Sequence, residues 1–267
     1  MKSSSSRVRL AEPFPDSALG DFAEMIESPL KPTLEIYLLG LVEFEEVQRL
    51  QRRLVYEQGE RGGASLILCE HPPTVSIGRS GSRSHLVPDD DTLRSLGIRT
   101  YWVNRGGGCI LHLPGQLAAY FVAPLQRLGL DVLTYLHQLN VVIIDLLQEF
   151  ELRGQVYPGH SGVFIDRARV ATVGVAVNRW IAYHGLTLNV GAFLEPLQLI
   201  DEPGFGTCRL KQTSLQARRQ RPTPMSKVRE SLICLIESRF ELDRHHIYTH
   251  HPLVSQKVRA HVHAESS

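Results

Sequence analysis

The chain has 267 residues, a formal net charge of +1, and 43% hydrophobic against 21% charged residues. This composition is typical of a globular protein with one large domain or two small ones. The balanced charge provides no field that would select nucleic acid, and no apolar run is long enough to cross a bilayer. The four cysteines lack Cys-x-x-Cys spacing, and the N-terminus lacks a secretory signal. We therefore expect no disulfide framework, no metal site and a reducing cytoplasm.

The predicted elements begin after residues 1–32, where a Ser- and Pro-rich composition indicates a flexible N-terminal arm. A strand is predicted over 33–42. An amphipathic helix is predicted over 43–58, because apolar residues recur there at helical spacing. Further strands are predicted in the apolar segments ASLILCEH, TVSIGRSG, RTYWVNRG and GQLAAYFVAPL.

The second half of the chain begins with a periodic helix, predicted over 131–150 with Asp131 as its N-cap. Three strands joined by short turns follow in GVFID, RVATVGVAVNRW and IAYHGLTLNV, and a last helix is predicted over 223–241. Runs of strands with helices between them predict an α+β fold, with a mixed, mainly antiparallel sheet flanked by helices. The expected domain spans 33–242, and 243–267 is expected to be a peripheral C-terminal tail.

The stretch RGGGCILHLPGQL, residues 105–117, is the first candidate for a functional site. A phosphate-binding loop would need Gly-Lys-Ser/Thr, and a dinucleotide fingerprint would open a helix; neither pattern is present. His71, His112 and His184 stand beside Gly- or Pro-rich turns but lack the spacing of metal ligands. An acyl chain or thioester is the third candidate, because successive glycines bring backbone N–H groups close to an acyl oxygen.

Five motifs carry a resemblance to a known family, in the order EHPPTVSIGR, NRGGGCILHLPGQLAAY, SGVFI, RVATVGVAVNRW and YHGLTLNV. Together they resemble the octanoyltransferases of lipoate synthesis, which belong with the biotin and lipoate protein ligases. The resemblance covers roughly residues 34–240 and implies a fold of that type. It also implies that an octanoyl group moves from the thioester of an acyl carrier protein to a lysine of a lipoyl domain. The expected acceptors are 2-oxoacid dehydrogenases or the glycine cleavage H protein, and no cofactor is expected.

The resemblance places the substrate-binding residues in three segments of the chain. Glycines and small side chains there leave room for an alkyl chain, whose burial contributes about 0.8 kcal/mol per CH₂. The expected substrate-binding residues are Arg105, Gly106, Gly107, Gly108, Cys109, Ile110, Leu111, His112, Thr172, Val173, Gly174, Gly185, Leu186 and Thr187.

The resemblance also implies a catalytic cysteine with a lysine beside it, and the chain departs from the family at both positions. Arg169 stands where the lysine is expected, and arginine can stabilise a thiolate but cannot act as a general base. Glu202 and Pro203 stand in the place of the family's Pro-Cys, and Cys208 follows in the same loop. Cys208 and Arg169 are therefore the expected catalytic residues.

Three interpretations of the chemistry remain open. In the first, Cys208 is the nucleophile, with Arg169 or Lys211 as its cation. In the second, Cys109 has taken over the role of nucleophile. In the third, the chain is an inactive relative that binds an octanoyl or lipoyl group or a lipoyl domain. An ATP-using lipoate ligase is disfavoured, because that family relies on a lysine near the position of Arg169.

A basic run from Arg209 to Arg229 contains no Asp or Glu. It is suited to an acidic carrier protein or lipoyl domain, or it is a solvated linker. No nucleic acid or membrane partner is expected.

Overall fold

The computed structural model describes residues 31–191, 194–205 and 208–255. Of the expected N-terminal arm, residues 1–30 lie outside the described residues. No helix within the described ranges is both long and apolar enough to cross a membrane.

Three helices agree with the periodic segments of the sequence, and two short ones, Asp90–Ser95 and Leu215–Arg219, were not predicted. In the described residues the helices are α1 (Phe44–Arg61), α2 (Asp90–Ser95), α3 (Val132–Glu149), α4 (Leu215–Arg219) and α5 (Met225–Arg239). The Asp131 side chain accepts a hydrogen bond from the Thr134 N–H at 2.7 Å, which satisfies one of the unpaired amides at the start of α3. At the C-terminal end of α1, Gly62 adopts a left-handed φ of 74° and ends the helix.

The strands form a large and a small sheet. In the described residues they are β1 (Thr33–Leu41), β2 (Ala64–Glu70), β3 (Thr74–Ile77), β4 (Arg99–Trp102), β5 (Cys109–His112), β6 (Gln116–Pro124), β7 (Val163–Ile165), β8 (Ala168–Asn178), β9 (Ile181–Asn189), β10 (Lys211–Gln212) and β11 (Asp243–Tyr248). The large sheet has the order β10-β8-β9-β6-β2-β1-β11, with β7 against β8, and the small sheet has the order β4-β3-β5.

Both sheets mix parallel and antiparallel pairs. Five of the pairings between the described strands are antiparallel and four are parallel. The α+β fold with a mixed sheet and flanking helices is therefore confirmed.

Helices cover the large sheet on both faces. Along β2, Leu66 and Leu68 lie in the core cluster that contains α3 and α5, whereas Ile67 and Cys69 lie in the cluster that contains α1. This alternation is the period of two that a strand imposes on its side chains. The sheet is thus buried on both faces, which explains why its strands are nearly continuous apolar runs in the sequence.

Residues 243–267, expected as a peripheral tail, begin with a strand of the large sheet. β11 pairs in parallel with β1, and the rings of Tyr37 and Tyr248 stack with centroids 4.9 Å apart. Sequence analysis missed this strand because it is polar and short. Residues 256–267 lie outside the described residues, and the domain boundary at 242 stays a prediction.

Candidate active site

The glycine loop Arg105–Gly108 joins the two sheets. Its carbonyl oxygens accept hydrogen bonds of 3.0–3.1 Å from the backbone N–H groups of residues 78–80, which directly follow β3 of the small sheet. The Gly106 N–H donates at 2.9 Å to the Val175 carbonyl on β8 of the large sheet. Because this N–H is already engaged, it is not available to the acyl oxygen for which the sequence suggested it.

Two facing glycines of the large sheet make room for this loop. Gly174 on β8 is paired with Gly185 on β9. A Cβ at position 174 would lie only 2.6 Å from the carbonyl oxygen of Gly106, so a side chain there would push the loop away. Gly174 therefore controls the position of the loop.

A narrow cavity lies beside the loop. Its volume is about 10 Å³, enough for one water molecule. An eight-carbon chain would therefore enter only if the surrounding side chains move. Eight expected substrate-binding residues line it, together with four others: Arg105, Ile110, His112, Thr172, Gly174, Gly185, Leu186 and Thr187, then Phe44, Ser76, Tyr120 and His184.

The other six expected binding residues are not part of this lining. They are Gly106, Gly107, Gly108, Cys109, Leu111 and Val173. Leu111 and Val173 instead have their side chains in the hydrophobic cores on either side of the site. Of the lining residues that sequence analysis missed, Ser76 and Tyr120 could have been identified from the sequence, since each places a polar group within an apolar strand.

Arg105 is the buried cation of the site. Its Nη2 donates to the carbonyl oxygen and to the hydroxyl of Ser76, both at 2.9 Å, and its Nη1 donates to the Gly106 carbonyl at 2.9 Å. The Ser76 hydroxyl also lies 2.9 Å from Nε2 of His112, within hydrogen-bond distance. Burial lowers the pKa of Arg105 to about 10, so the side chain stays charged at neutral pH.

His71 has its tautomer fixed by two neighbours. Its Nδ1 lies 2.8 Å from the Val42 carbonyl, which can only accept, so Nδ1 carries the proton. Its Nε2, 2.8 Å from the Tyr120 hydroxyl, accepts in turn. This chain of hydrogen bonds orients Tyr120 along the cavity wall.

α1 also positions the site. The side chain of Gln51, buried on this helix, accepts a hydrogen bond of 2.9 Å from the His184 N–H. His184 has a positive φ of 63°, and its Nε2 lies 3.3 Å from the Asn104 Oδ1. Gln51, on a helix outside the central strands, thus stabilises the unusual backbone conformation of His184 next to Gly185.

The three histidines of the site are neutral at physiological pH. Burial lowers the pKa of His71 to about 4. Burial and the charge of Arg105 lower the pKa of His184 to about 3. Burial, with the neighbouring His71 and Arg105, lowers the pKa of His112 well below its usual range. Each imidazole can accept a proton, but such low pKa values make it a weak base toward an ammonium group.

Arg169 is paired with Glu202, which is the main difference from the expected chemistry. The two side chains are 5% and 11% exposed, with Nη2 and Oε2 2.8 Å apart. The other carboxylate oxygen of Glu202 accepts a hydrogen bond of 2.8 Å from the Cys109 N–H, next to the glycine loop. Sequence analysis noted the place of Glu202 in the loop but assigned it no role, because its partners Arg169 and Cys109 are distant in the sequence.

Cys208 lies beyond Glu202 in the same loop, and its side chain is exposed. Its carbonyl accepts a hydrogen bond of 3.0 Å from the Gly204 N–H, which closes the loop. In the described part of the chain, no hydrogen bond joins the Cys208 thiol to Arg169, whose guanidinium is engaged by Glu202. The pairing of Cys208 with Arg169 stays a prediction.

Phe205 anchors the loop that contains Glu202. Its ring lies among the rings of Tyr157, His160 and Phe164, with centroid distances of 4.7, 4.5 and 5.7 Å. Such contacts stabilise a loop by apolar burial and favourable ring geometry. The position of Glu202 is therefore determined by the contacts of its own carboxylate and by those of Phe205 in the same loop.

Cys109 lies at the start of β5 and is buried. Its thiol donates to the Ser82 carbonyl at 3.5 Å. Burial and the charge of Glu202 raise the pKa of the thiol. Since the thiolate is the nucleophilic form, this environment makes Cys109 less reactive than an ordinary cysteine.

The basic run from Arg209 to Arg229 is largely neutralised within the fold. Arg219 lies over the ring of Phe150, 5.1 Å from its centroid. Four other arginines form ion pairs with acidic residues outside the run: Arg209 with Asp201, Arg218 with Asp166, Arg221 with Glu151, and Arg229 with Glu70. Four of the seven cationic side chains of the run thus have an acidic partner within the fold, which reduces the charge that could attract an acidic protein.

Comparison with known families now decides the classification. Residues 44–237 match the family described as lipoyl protein ligase A/B catalytic domain. The chain belongs to this family. Within the described ranges, no three His, Cys, Asp or Glu side chains form a group that could hold a metal ion.

Curated members of the lipoyl protein ligase A/B family include close relatives of the chain. An octanoyltransferase of Geobacter metallireducens is 38% identical over 73% of the chain and 87% of the relative. An octanoyltransferase of Roseiflexus sp. is 34% identical over 79% of the chain and 89% of the relative. The resemblance to octanoyltransferases is therefore confirmed.

Solved structures of lipoate protein ligases have the same fold. A bipartite lipoate protein ligase of Thermoplasma acidophilum gives a TM-score of 0.64 at 17% identity, covering 83% of this chain and 89% of that chain. A lipoate-protein ligase A bound with ATP gives a TM-score of 0.63 at 16% identity, covering 84% and 91%. At these identities the comparison confirms the lipoate ligase type of fold and carries no conclusion about substrates.

Proposed function

We propose that the chain transfers an octanoyl group from the thioester of an acyl carrier protein to a lysine of a lipoyl domain. The observation that carries this proposal is the convergence of three distant segments on one cavity. The glycine loop, Thr172 with Gly174 on β8, and residues 185–187 on β9 line it together. The octanoyltransferase relatives support the same activity. All four cysteines are free, which suits a reaction in the cytoplasm.

Cys208 is the proposed acyl acceptor. Its thiolate attacks the thioester carbon, a new thioester forms, and the carrier thiol leaves with the proton that Cys208 lost. The amine of the acceptor lysine then attacks this thioester, the amide bond forms, and Cys208 leaves as a thiol. Burial of the Cys109 thiol makes that residue the weaker of the two candidates.

A second candidate function is binding without transfer. It is favoured by two replacements: Arg169, paired with Glu202, stands where the family resemblance implies a lysine, and Pro203 stands where it implies a cysteine. Proline supplies no acyl acceptor at that position. The chain would then hold an octanoyl or lipoyl group, or dock a lipoyl domain.

Incubation with octanoyl-acyl carrier protein, followed by intact-mass measurement, distinguishes the two functions. The variants are Cys208→Ser and Cys109→Ser, and isotope-labelled octanoate in the same samples measures non-covalent binding. An octanoyl adduct on the wild type that is lost only in Cys208→Ser supports the transferase. An adduct lost only in Cys109→Ser moves the nucleophile to Cys109. Octanoyl retained without any adduct supports the binding function and removes the transferase.

A further inference from the structure

An exposed groove at the tip of the β8–β9 hairpin has a composition suited to protein binding. Its volume is about 730 Å³, and α1, the residues after β6 and the hairpin tip form its walls. Trp180 at the tip is 49% exposed and Tyr56 on α1 is 66% exposed. Exposed aromatic residues beside arginines are the side chains that dominate binding energy in protein interfaces.

Three exposed arginines line this groove: Arg52, Arg127 and Arg179. Throughout the described part of the chain, none of them has an ion-pair partner, unlike most arginines of the basic run. Glu60 is the one acidic residue of the groove lining. The groove therefore carries three positive charges without an ion-pair partner against one acidic residue, and it complements an acidic protein surface.

The tip of the hairpin has residue types that are unfavourable for the backbone of its turn. Arg179 and Trp180 both have positive φ, 48° and 64°, in a two-residue turn that normally favours Asn-Gly. The turn Asp166–Arg167 between β7 and β8 has similar φ values, so this strain alone does not mark a site. At Arg179–Trp180 the strain coincides with uncompensated charge and an exposed indole, and it places both side chains on the groove.

A second cleft shares one lining residue with the groove and one with the active-site cavity. This cleft has a volume of about 490 Å³, and four aromatic side chains line it: Phe44, Tyr101, Trp102 and Tyr183. Arg52 lines both the groove and this cleft, and Phe44 lines both the cleft and the active-site cavity. A flexible arm attached to a partner in the groove could therefore follow the cleft to the cavity.

The distance between groove and cavity selects one of the two proteins in the proposed reaction. Gly185 in the cavity and Ile181 in the groove are four residues apart on β9, or about 13 Å along the strand. A lysine side chain reaches only about 6 Å on its four-carbon stem, so a lipoyl domain in the groove could not deliver its amine. A carrier protein holds its acyl thioester at the end of a long arm and can span this distance.

We infer that this groove is the docking site of the acyl carrier protein, with Arg52, Arg127 and Arg179 facing its carboxylates. The inference rests on the proposed function, because that function supplies the partner. Labelled octanoyl-acyl carrier protein provides a direct test through fluorescence anisotropy with wild-type protein and with Arg52→Glu, Arg127→Glu and Arg179→Glu. Lys227→Glu is the matched control: it changes the same charge at an exposed position of the basic run, at the start of a helix where glutamate is tolerated.

Each groove variant should weaken carrier binding about tenfold, and Lys227→Glu should change it less than twofold. The ratio of transfer rates with the carrier thioester and with octanoyl-N-acetylcysteamine should fall in the groove variants. Groove variants that bind the carrier like the wild type, or a control that loses as much as they do, would refute the docking site. A single-stranded oligonucleotide that displaced the labelled carrier as effectively as unlabelled carrier protein does would also refute the docking site. The groove would then bind polyanions in general.

Failure of the proposed function has a different signature. In that case the wild type forms no octanoyl product with either thioester, while the binding measurement remains interpretable. Carrier binding that depends on the groove arginines would then support docking without transfer, and absence of carrier binding would overturn the inference.

Discussion

Arg169 and Glu202 separate this chain from the cysteine–lysine chemistry that its motifs imply. Each charge is buried, and each has its partner in the other. Breaking such a pair by removing one side chain typically costs about 3–5 kcal/mol, since the remaining charge is left uncompensated. The pair therefore acts as a unit, so a lysine introduced at position 169 must keep its contact with Glu202 when the missing cysteine is restored at position 203.

The first prediction concerns position 203, where the family resemblance implies a cysteine. In a Cys208→Ser background, Pro203→Cys combined with Arg169→Lys should form an octanoyl adduct, because a thiol then lies next to a titratable amine. Intact-mass measurement after incubation with octanoyl-acyl carrier protein detects it. Pro203→Ser with Arg169→Lys is the control and should remain unmodified. A folded variant with cysteine at 203 that stays unmodified would contradict this assignment of the catalytic position.

The second prediction uses the pKa of His71. Burial lowers it from 6.5 to about 4, so the unfolded state binds the proton more readily than the folded state. The stability that the neutral imidazole contributes is complete above pH 6.5 and is lost as the pH falls toward 4. Between pH 7 and pH 5, the loss from His71 alone is about 2 kcal/mol.

Urea unfolding at pH 7 and pH 5 measures this contribution. His71→Gln should lose about 2 kcal/mol less than the wild type between the two pH values, whatever its stability at pH 7. The exposed His137 provides the control, and His137→Gln should keep the pH dependence of the wild type. Equal pH dependence in the wild type and His71→Gln would show that His71 is not held neutral by the fold.

At the scale of elements, β5 connects the glycine loop to the cavity wall. Ile110 on β5 lines the cavity, whereas Ile98 is buried nearby in the core of the small sheet and does not. Shortening Ile110 should lengthen the cavity along the path of an acyl chain. The same change at Ile98 should cost stability without changing the cavity.

The third prediction follows from this difference. Ile110→Ala should improve binding of a decanoyl thioester relative to an octanoyl thioester by up to about tenfold, since two more CH₂ groups are buried at about 0.8 kcal/mol each. Calorimetric titration with non-transferable thioester analogues measures the ratio. Ile98→Ala should leave the ratio unchanged. An unchanged ratio in Ile110→Ala would exclude this residue from the wall that limits the chain length.

Elements that are long and periodic could be predicted from the sequence, whereas several short ones, namely β5, β10, β11, α2 and α4, could not. α1, α3 and the strands β6, β8 and β9 follow directly from apolar spacing. β5 was missed because its four residues continue a glycine-rich motif and form a strand only by pairing with β3. The cavity could be assembled from motifs, but its side-chain contacts depend on pairing between distant segments.

The site differs from its sequence prediction for a related physical reason. The family motif indicates where Arg169 stands, but not that Glu202 will occupy its guanidinium. The basic run likewise contains no acidic residue of its own, and its neutralisation requires carboxylates such as Glu70 and Glu151 from other parts of the fold. Charge patterns read along a chain predict composition, whereas ion pairing depends on the complete tertiary structure.

At the scale of the whole molecule, β11 determines whether the domain can end at residue 242. It covers the outer edge of β1, and Tyr248 stacks on Tyr37. Val254, beyond the strand, is buried in the same core cluster as α1. Removing these contacts would leave unpaired the backbone groups of β1 that face β11, and an exposed strand edge of this kind favours aggregation.

The last prediction tests this boundary by truncation. A chain that ends at residue 242 should unfold at a lower temperature than a chain that ends at 255, which keeps every contact of β11 described above. Val254 is buried and Tyr248 is partly buried. A fully buried apolar side chain contributes about 1.5–3 kcal/mol, so the expected loss for the two together is a few kcal/mol. Thermal unfolding and light scattering measure the two effects. Equal unfolding temperatures and equal solubility would mean that β11 is dispensable and that the domain ends at 242, because β1 would then be stable as an edge strand.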